Sequence, residues 1–210
     1  GGIVLFNAFS LILVTPVVSF YLLRDWDKIV AKIDSWLPLN SGPSIRIIVG
    51  DIDSTIAGFV RGQGSVCLLL SIFYGIALTS IGLDFGLIIG VLTGLLSFVP
   101  YFGMLIGMAV ALLVVVSQYG EFLQVVILLV VFGLGQVIES MFLTPKLVGE
   151  KVGLHAVWVI FALMVGGGSF GFTGLLLAVP VAATIGVLVR FSISRYLESS
   201  LYSGSSDNDG

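Results

Sequence analysis

Long apolar runs occupy most of this 210-residue chain, and they constrain its fold more than any motif does. Residues 3–23 are already long enough to cross a bilayer, which takes about 20 apolar residues. Only 10% of the residues are charged, against about 25% in a soluble domain. Because so few charges cannot cover a folded chain in water, we predict an all-α polytopic membrane protein whose first partner is the lipid bilayer.

The composition excludes several classes of function. Cys67 is the one cysteine and His155 the one histidine, so neither a disulfide framework nor a metal site is predicted. No cluster of basic residues marks a nucleic-acid surface. Residues 167–171 match the G-x-S-x-G form of a hydrolase elbow, but that elbow requires a strand before a helix, and both flanks here are apolar helix candidates. We therefore predict neither an enzyme nor a bound cofactor.

Residues 24–63 are the one extended segment that suits water. Apolar residues recur at helical spacing on both sides of a turn near residues 39–43, which predicts an amphipathic helical hairpin or, alternatively, a simple interfacial helix. Five of the nine basic residues lie in it, so the positive-inside rule places it in the cytoplasm. We expect a transmembrane helix over 1–23, a transmembrane core over 64–197 and a disordered tail over 198–210.

Two apolar runs, 85–117 and 154–189, are too long for one crossing and contain internal breaks, near 99–103 and 166–171. Each is predicted to be a broken or re-entrant helical hairpin, formed either by two short helices or by one that returns to its own side. A re-entrant turn requires cover by protein or a water-filled cavity. The candidate hinges or breaks along the chain are Pro100, Gly103, Pro145, Gly167, Gly168 and Pro180.

Glycines recur at every fourth residue in these runs, a spacing that lets helix backbones approach closely in lipid. We interpret them as packing positions rather than as a surface for substrate. The candidate packing glycines are Gly82, Gly86, Gly90, Gly94, Gly107 and Gly174.

Most of the polar chemistry lies in residues 133–171. Gln136 and Glu139 share a helix face inside an apolar run, where a carboxylate costs about 2.5–3.5 kcal/mol at mid-bilayer. Glu139 could couple transport to ions or protons, or bind a polar solute. Alternatively, it is a helix-end carboxylate that snorkels toward the membrane surface or pairs with Lys146, since Pro145 is predicted to end the helix.

His155 follows this helix near the predicted cytoplasmic face. It could titrate near neutral pH, or it could have a purely structural role. The candidate residues for binding a substrate or ion are Gln136, Glu139, Thr144, Lys146 and His155.

Short motifs are spread over residues 4–197. They are FYLLRD at 20–25, FVRGQ at 59–63, VPYFG at 99–103, Gln136-x-x-Glu139 with Thr144-Pro145-Lys146, VG at 148–149, VGLH at 152–155, FG at 170–171 and VP at 179–180. As a set they resemble the autoinducer-2 exporter family, the PerM-like permeases of bacteria. Ala156 departs from the proline that is usual after the histidine.

The resemblance implies a multi-pass inner-membrane protein that is oligomeric, with residues 64–197 as its transport core and further membrane helices before residue 1. It implies export of a small hydrophilic solute, with the quorum-sensing signal autoinducer-2 as the first candidate. One alternative is a sodium/proton antiporter that uses Glu139. Another is a non-transporting oligomeric scaffold that docks partners on the hairpin at 24–63.

Overall fold

A computed structural model describes residues 2–38, 42–149 and 153–199 of the chain, and these residues form helices and short connections without a strand. The helices are α1 (Gly2–Arg24), α2 (Trp26–Ser35), α3 (Gly42–Ser80), α4 (Gly86–Leu96), α5 (Phe102–Gln118), α6 (Phe122–Ile138) and α7 (Ala156–Leu197). Two π-helical turns, Glu139–Leu143 and Pro145–Gly149, continue α6. Residues 39–41 of the predicted turn, Lys151 and the tail from residue 200 lie outside the described residues.

Three stretches within the described part of the chain are long and apolar enough to cross a membrane. They are Gly42–Ser80, Phe122–Val148 and Val157–Leu197. Much of their outward surface consists of large apolar side chains such as Leu68, Ile72 and Ile76 of α3. Lipid can solvate such a surface and water cannot, so the predicted class, an all-α polytopic membrane protein, is confirmed.

Residues 1–49 form one compact unit, and residues 50–210 form a second. In the first unit, α2 is joined to the start of α3 by a two-pronged ion pair. Arg46 Nε lies 2.7 Å from Asp34 Oδ1, and Arg46 Nη2 lies 2.9 Å from Asp34 Oδ2. This geometry is the strong form of an arginine–carboxylate contact.

The predicted hairpin differs from the structure in its second half. We expected one helix to end near residue 59 and a separate span to cover 64–83, but α3 is a single helix of 39 residues. The expected junction at residues 61–63 contains no proline that would stop a helix. Its glycine, Gly62, is helical and lies directly against the backbone of Leu147.

One face of α3 forms the centre of the second unit. Its buried side chains recur at helical spacing, and α4, α5, α6 and the later part of α7 contribute to the same core. The large buried side chains of this face are Phe59, Val66, Leu70, Tyr74 and Leu78.

The predicted glycine ridge of α4 packs directly on α3. A Cβ on Gly86 would meet the backbone of Leu78, and one on Gly94 would meet the backbone of Ser71. Gly90 between them contacts the backbone of Gly75 in the same way. Such contacts allow dispersion forces between backbones where lipid provides no hydrophobic driving force.

Gly107 of α5 also packs as predicted, against the side chain of Thr93. Gly103 was a predicted hinge, but it lies in the first turn of α5 and contacts Ser97. Gly82 was a predicted packing position, but it lies in the turn before α4 with φ of 76°. A side chain is strained in this left-handed conformation, so Gly82 serves the turn.

Helices α4 and α5 form the first broken pair, with the break around Pro100 as predicted. Tyr101 adopts φ of 67°, which reverses the chain. Gln118 at the end of α5 donates to the carbonyl of Gly82 at 2.9 Å and accepts from the amide of Asp84 at 2.8 Å. The C-terminal end of α5 therefore lies beside the turn that precedes α4.

The turn of this pair is covered by α3. Gln63 is buried, and its Nε2 donates to the carbonyl of Ser97 at 2.6 Å. Helix α4 has 11 residues and rises about 16 Å, roughly half of a bilayer core. A short helix with a protein-covered turn favours the re-entrant alternative over two spans.

The second broken pair is α7, whose arms cover residues 156–170 and 172–197. The break falls inside the predicted region 166–171, but at Gly171, where φ is 59° and ψ is −138°, and the candidate hinges Gly167 and Gly168 are helical. Only glycine adopts this conformation without strain. Gly174 functions in packing as predicted, because its missing Cβ lets the second arm contact the backbone of Gly166.

Pro180 does not break α7, contrary to prediction. The helix continues through it, and no residue other than Gly171 departs from helical backbone angles inside α7. Membrane helices tolerate proline where local adjustment or neighbouring groups satisfy the freed carbonyl.

Replacing Gly94 tests the close contact between α4 and α3. Gly94→Ala should destabilise the protein in detergent by about 1–3 kcal/mol, because the added methyl group overlaps the backbone of Ser71. Gly133→Ala in α6 is the matched control, since nothing lies within 4 Å of the position that its added methyl group would take. Thermal unfolding followed by size-exclusion fluorescence measures both, and equal melting temperatures for the two variants would contradict the packing role.

The ion pair of the first unit should be lost in acid. The hydrogen bond from Arg46 lowers the pKa of the Asp34 carboxyl in the folded protein. The stabilisation from the ion pair is therefore fully present above the unfolded pKa of about 3.9 and is lost as pH falls through the lower folded pKa. Spin labels on Val30 and Ile47 should report a broadened distance only well below about pH 4, where the Asp34 carboxylate of the folded protein becomes protonated. Asp34→Asn should show that broadening at neutral pH, whereas Asp27→Asn should keep the acid transition.

Candidate functional site

Helices α3 and α6 run antiparallel and meet along one line of contacts. The ring centroids of Tyr74 and Phe132 lie 4.9 Å apart. The Tyr74 hydroxyl packs against Gly135, where a Cβ would overlap it. Farther along, Gly62 of α3 contacts the backbone of Leu147. Residue numbers therefore rise along α6 as they fall along α3. The part of α6 and its π-helical extension between residues 135 and 147 lies against α3 between residues 74 and 62.

Glu139 lies inside this interface. Glu139 is only 7% exposed, and it continues the buried face of α6 that carries Phe132 and Gly135. Among the described residues, its carboxylate has neither a hydrogen bond nor an ion pair. Cys67 and Tyr74 of α3 lie close enough for its charge to act on them.

Lys146 does not neutralise Glu139. Its side chain is exposed and forms no ion pair within the described part of the chain. The alternative that Glu139 is a helix-end carboxylate paired with this lysine is therefore not supported. An unpaired carboxylate in such a position is costly, and intramembrane acids of this kind are typical of functional sites.

Two further buried polar atoms without a hydrogen-bond partner lie beside Glu139. They are the hydroxyl of Tyr74 and Oε1 of Gln136, the only fully buried side-chain nitrogen or oxygen atoms of the described residues that lack a partner, whereas Glu139 keeps a small exposed fraction. Buried polar groups are normally satisfied, so each exception requires an explanation. Here the unsatisfied atoms and the unpaired acid gather at one interface, which marks it as the candidate site.

The backbone changes register at the same place. The α-helix gives way to a π-helical turn at Glu139, and the amide of Thr144 donates to the carbonyl of Glu139, five residues back. Pro145 was predicted to end this helix, but a second π-helical turn, Pro145–Gly149, continues it. The wider π turn accommodates a residue that has no amide hydrogen, and π-helical segments occur frequently at functional sites.

The other predicted binding residues lie outside this buried site. Thr144 and Lys146 are exposed on the π-helical segment. His155 is exposed and caps the start of α7, where its Nδ1 accepts from the amide of Val157 at 3.4 Å. The structure therefore brings Gln136 and Glu139 to one interface and leaves these three residues at the surface.

Sequence reasoning missed Tyr74 and Cys67. They are seven residues apart on α3, so they lie on one helix face, and both are buried. A tyrosine hydroxyl inside an apolar run signals a need for a polar partner. The sequence contains that signal, but it does not show that α3 packs against α6, so the partner of the tyrosine could not be predicted. Among the described residues, no group of three or more His, Cys, Asp or Glu side chains suits a metal ion.

The site is rich in hydrogen-bond acceptors. A carboxylate and an amide oxygen accept, and a tyrosine hydroxyl can both donate and accept. It therefore suits a ligand that brings donors, such as a proton or a hydroxyl-bearing solute, or a small cation that oxygen atoms can coordinate.

A family model described as AI-2E family transporter matches residues 4–193. The chain is 30% identical over 174 residues to "Putative transport protein YrrI" of Bacillus subtilis, an alignment that covers 83% of this chain and 49% of the relative. It is 28% identical over 179 residues to "Putative permease PerM" of Escherichia coli K12, covering 85% of this chain and 50% of the relative.

A third relative is "Putative transport protein sll0060" of Synechocystis, 28% identical over 169 residues, with 80% of this chain and 47% of the relative covered. The chain thus spans about half the length of these relatives. No solved structure matches the chain.

Removing the unpaired acid should stabilise the protein. Glu139→Leu eliminates a buried polar group that lacks a partner, which we expect to stabilise the fold by about 1 kcal/mol or more, or roughly 2–4 °C in melting temperature. Glu121→Leu is the control, because Glu121 is exposed and its replacement should change little. A lower melting temperature for Glu139→Leu would show that the acid has a stabilising partner.

Proposed function

Because this chain belongs to the AI-2E family of transporters, as its motifs predicted, we propose that it exports a small hydrophilic solute across the bacterial inner membrane. Autoinducer-2 is the first candidate for that solute, which would give the protein a role in quorum sensing. The family and the helices long enough to span a membrane support the membrane location and the transport role. The substrate, the direction, the inner membrane and a homo-oligomeric state are parts of the proposal.

The observation that supports it most is the unpaired Glu139 at the α-to-π transition, beside the unsatisfied oxygen of Gln136 and hydroxyl of Tyr74. A fold gains no stability from such a group of buried atoms. Proteins retain costly polar groups where function requires them, and binding a ligand would supply the missing partners.

The chemistry of these atoms suits a solute with several hydroxyl groups. A solute hydroxyl can donate to the Glu139 carboxylate or to Oε1 of Gln136, and Tyr74 can donate to a solute oxygen. Autoinducer-2, a small polar furanosyl compound, belongs to this chemical class. Hydrogen bonds to a carboxylate are about twice as strong as neutral ones, so Glu139 is the main anchor.

The solute path would run along the α3–α6 interface rather than along the α4 glycines. The glycine ridge of α4 is filled by backbone contacts with α3 and has no room for a solute. At the α3–α6 interface, the backbone changes from α-helical to π-helical hydrogen bonding at Glu139 itself. Such a segment could shift between α and π registers and so alter access to Glu139.

The antiporter alternative rests on the same carboxylate. An unpaired buried acid can bind a proton or a sodium ion in turn, which is the central step of an antiport cycle. Glu139 is the only buried acid among the residues whose burial the structure describes, so this alternative also assigns it the central role. The scaffold alternative assigns no role to the unsatisfied atoms.

Flux measurements in proteoliposomes holding the full-length protein test the proposal. Vesicles loaded with autoinducer-2 should release it faster than vesicles without protein, and Glu139→Gln should reduce the rate at least tenfold, because it loses the charge that anchors the solute. Glu121→Gln is the matched control and should keep the wild-type rate. Cys67 gives an independent readout, since bound solute should slow its reaction with a thiol reagent.

The alternatives predict different outcomes in the same vesicles. Proton movement that depends on a sodium gradient, without release of autoinducer-2, would assign the protein to antiport. Absence of both fluxes in folded protein would contradict transport by this site and favour a scaffold. Wild-type release by Glu139→Gln would separate the transport activity from Glu139.

A further inference from the structure

The two arms of α7 enclose an apolar groove of about 960 Å³, which lies away from Glu139. Small residues such as Ala162, Ala178 and Ala182 form its floor, and Trp158, Phe161 and Leu177 contribute large side chains to its rim. The rim side chains are more than half exposed. The volume is within the range of sites that hold small molecules.

A positive charge closes one end of the groove. Leu154 and Gly186 form this end, and Nη1 of Arg190 lies 3.6 Å from the position that a Cβ on Gly186 would take. The same Nη1 donates to the carbonyl of Gly153 at 3.3 Å. A guanidinium has five N–H donors, and no ion pair engages Arg190 within the described part of the chain.

We propose that this groove binds one anionic phospholipid, with its acyl chains along the apolar floor and its phosphate on Arg190. The backbone carbonyl of Gly153 holds the guanidinium at the mouth and leaves its other donors for a phosphate, which planar guanidinium groups bind well. Trp158 lies in the first turn of α7, four residues after Leu154, and lines the same groove. Tryptophan is enriched where acyl chains meet headgroups.

Charge complementarity favours a lipid over a helix from a second copy. An apolar helix in the groove would cover the carbon surface but would leave the guanidinium without a counter-charge, which is costly in a low-dielectric setting. An anionic phospholipid covers the apolar floor with its acyl chains and gives the guanidinium a counter-charge with its phosphate. Basic pockets between membrane helices near the cytoplasmic face suit anionic headgroups, and the positive-inside rule places Arg190 on that side. The proposal depends only on α7 and not on the transported solute.

Quenching of Trp158 by brominated lipids tests this site directly. The protein is prepared with Trp158 as its only tryptophan and reconstituted in phosphatidylcholine with increasing brominated phosphatidylglycerol, or with brominated phosphatidylcholine as the reference. Half-maximal quenching should occur at about a fivefold lower fraction of the anionic lipid, the factor expected from one basic side chain.

Substitutions separate the headgroup contact from the groove. Arg190→Gln should abolish the preference for phosphatidylglycerol, while Arg190→Lys should keep most of it, because the charge remains. Arg61→Gln is the matched control, an exposed arginine on α3 that is remote in sequence from α7. Ala182→Phe should weaken quenching by both lipids, because its side chain fills the floor.

Two results would overturn the proposal. Equal quenching by the two lipids in the wild-type protein would show that the groove does not select anionic headgroups. Strong protection of Trp158 from both lipids, relieved when the protein is made monomeric, would show that a second copy covers the groove. Circular dichroism of Arg190→Gln and Arg190→Lys shows whether each variant is folded, so a lost preference in folded protein belongs to the headgroup contact.

Discussion

Close backbone contact along α3 is the constraint on which the second unit depends. Gly86, Gly90 and Gly94 let α4 lie on α3, and Gly62 and Gly135 let the extended α6 lie on another part of the same helix. In lipid, helices gain little from apolar burial alone, so contact area between backbones must supply the association. These glycines bring α4 and the π-extended α6 against one central helix, α3.

The same packing creates the cost that marks the site. Because α6 lies so close to α3, the Tyr74 hydroxyl and Oε1 of Gln136 are removed from water without a partner, and Glu139 is left only 7% exposed. The change to π-helical turns begins at this point. Packing alone would favour apolar residues here, which is why the proposed solute site is placed at these unsatisfied atoms.

The breaks in the long apolar runs were predictable in kind but less so in position. Pro100 signalled the α4–α5 turn correctly, since proline restricts the residue before it and favours a turn. Pro145 and Pro180 carried the same signal, yet the helices continue through both. The break of α7 lies within the predicted region 166–171 but at Gly171 rather than at Gly167 or Gly168, because each of these glycines can adopt the required angles and the sequence does not say which one does.

By itself, the sequence determined that the chain is helical, is solvated by lipid and belongs to its family, and that Gln136 and Glu139 share a helix face. These properties follow from composition, motifs and spacing within one helix. Only the tertiary structure decided that Tyr74 and Cys67 face Glu139, that His155 caps a helix at the surface, and that Arg190 closes an apolar groove. Contacts between helices depend on their register, which is decided by where backbones can approach, and no periodicity within a single helix encodes it.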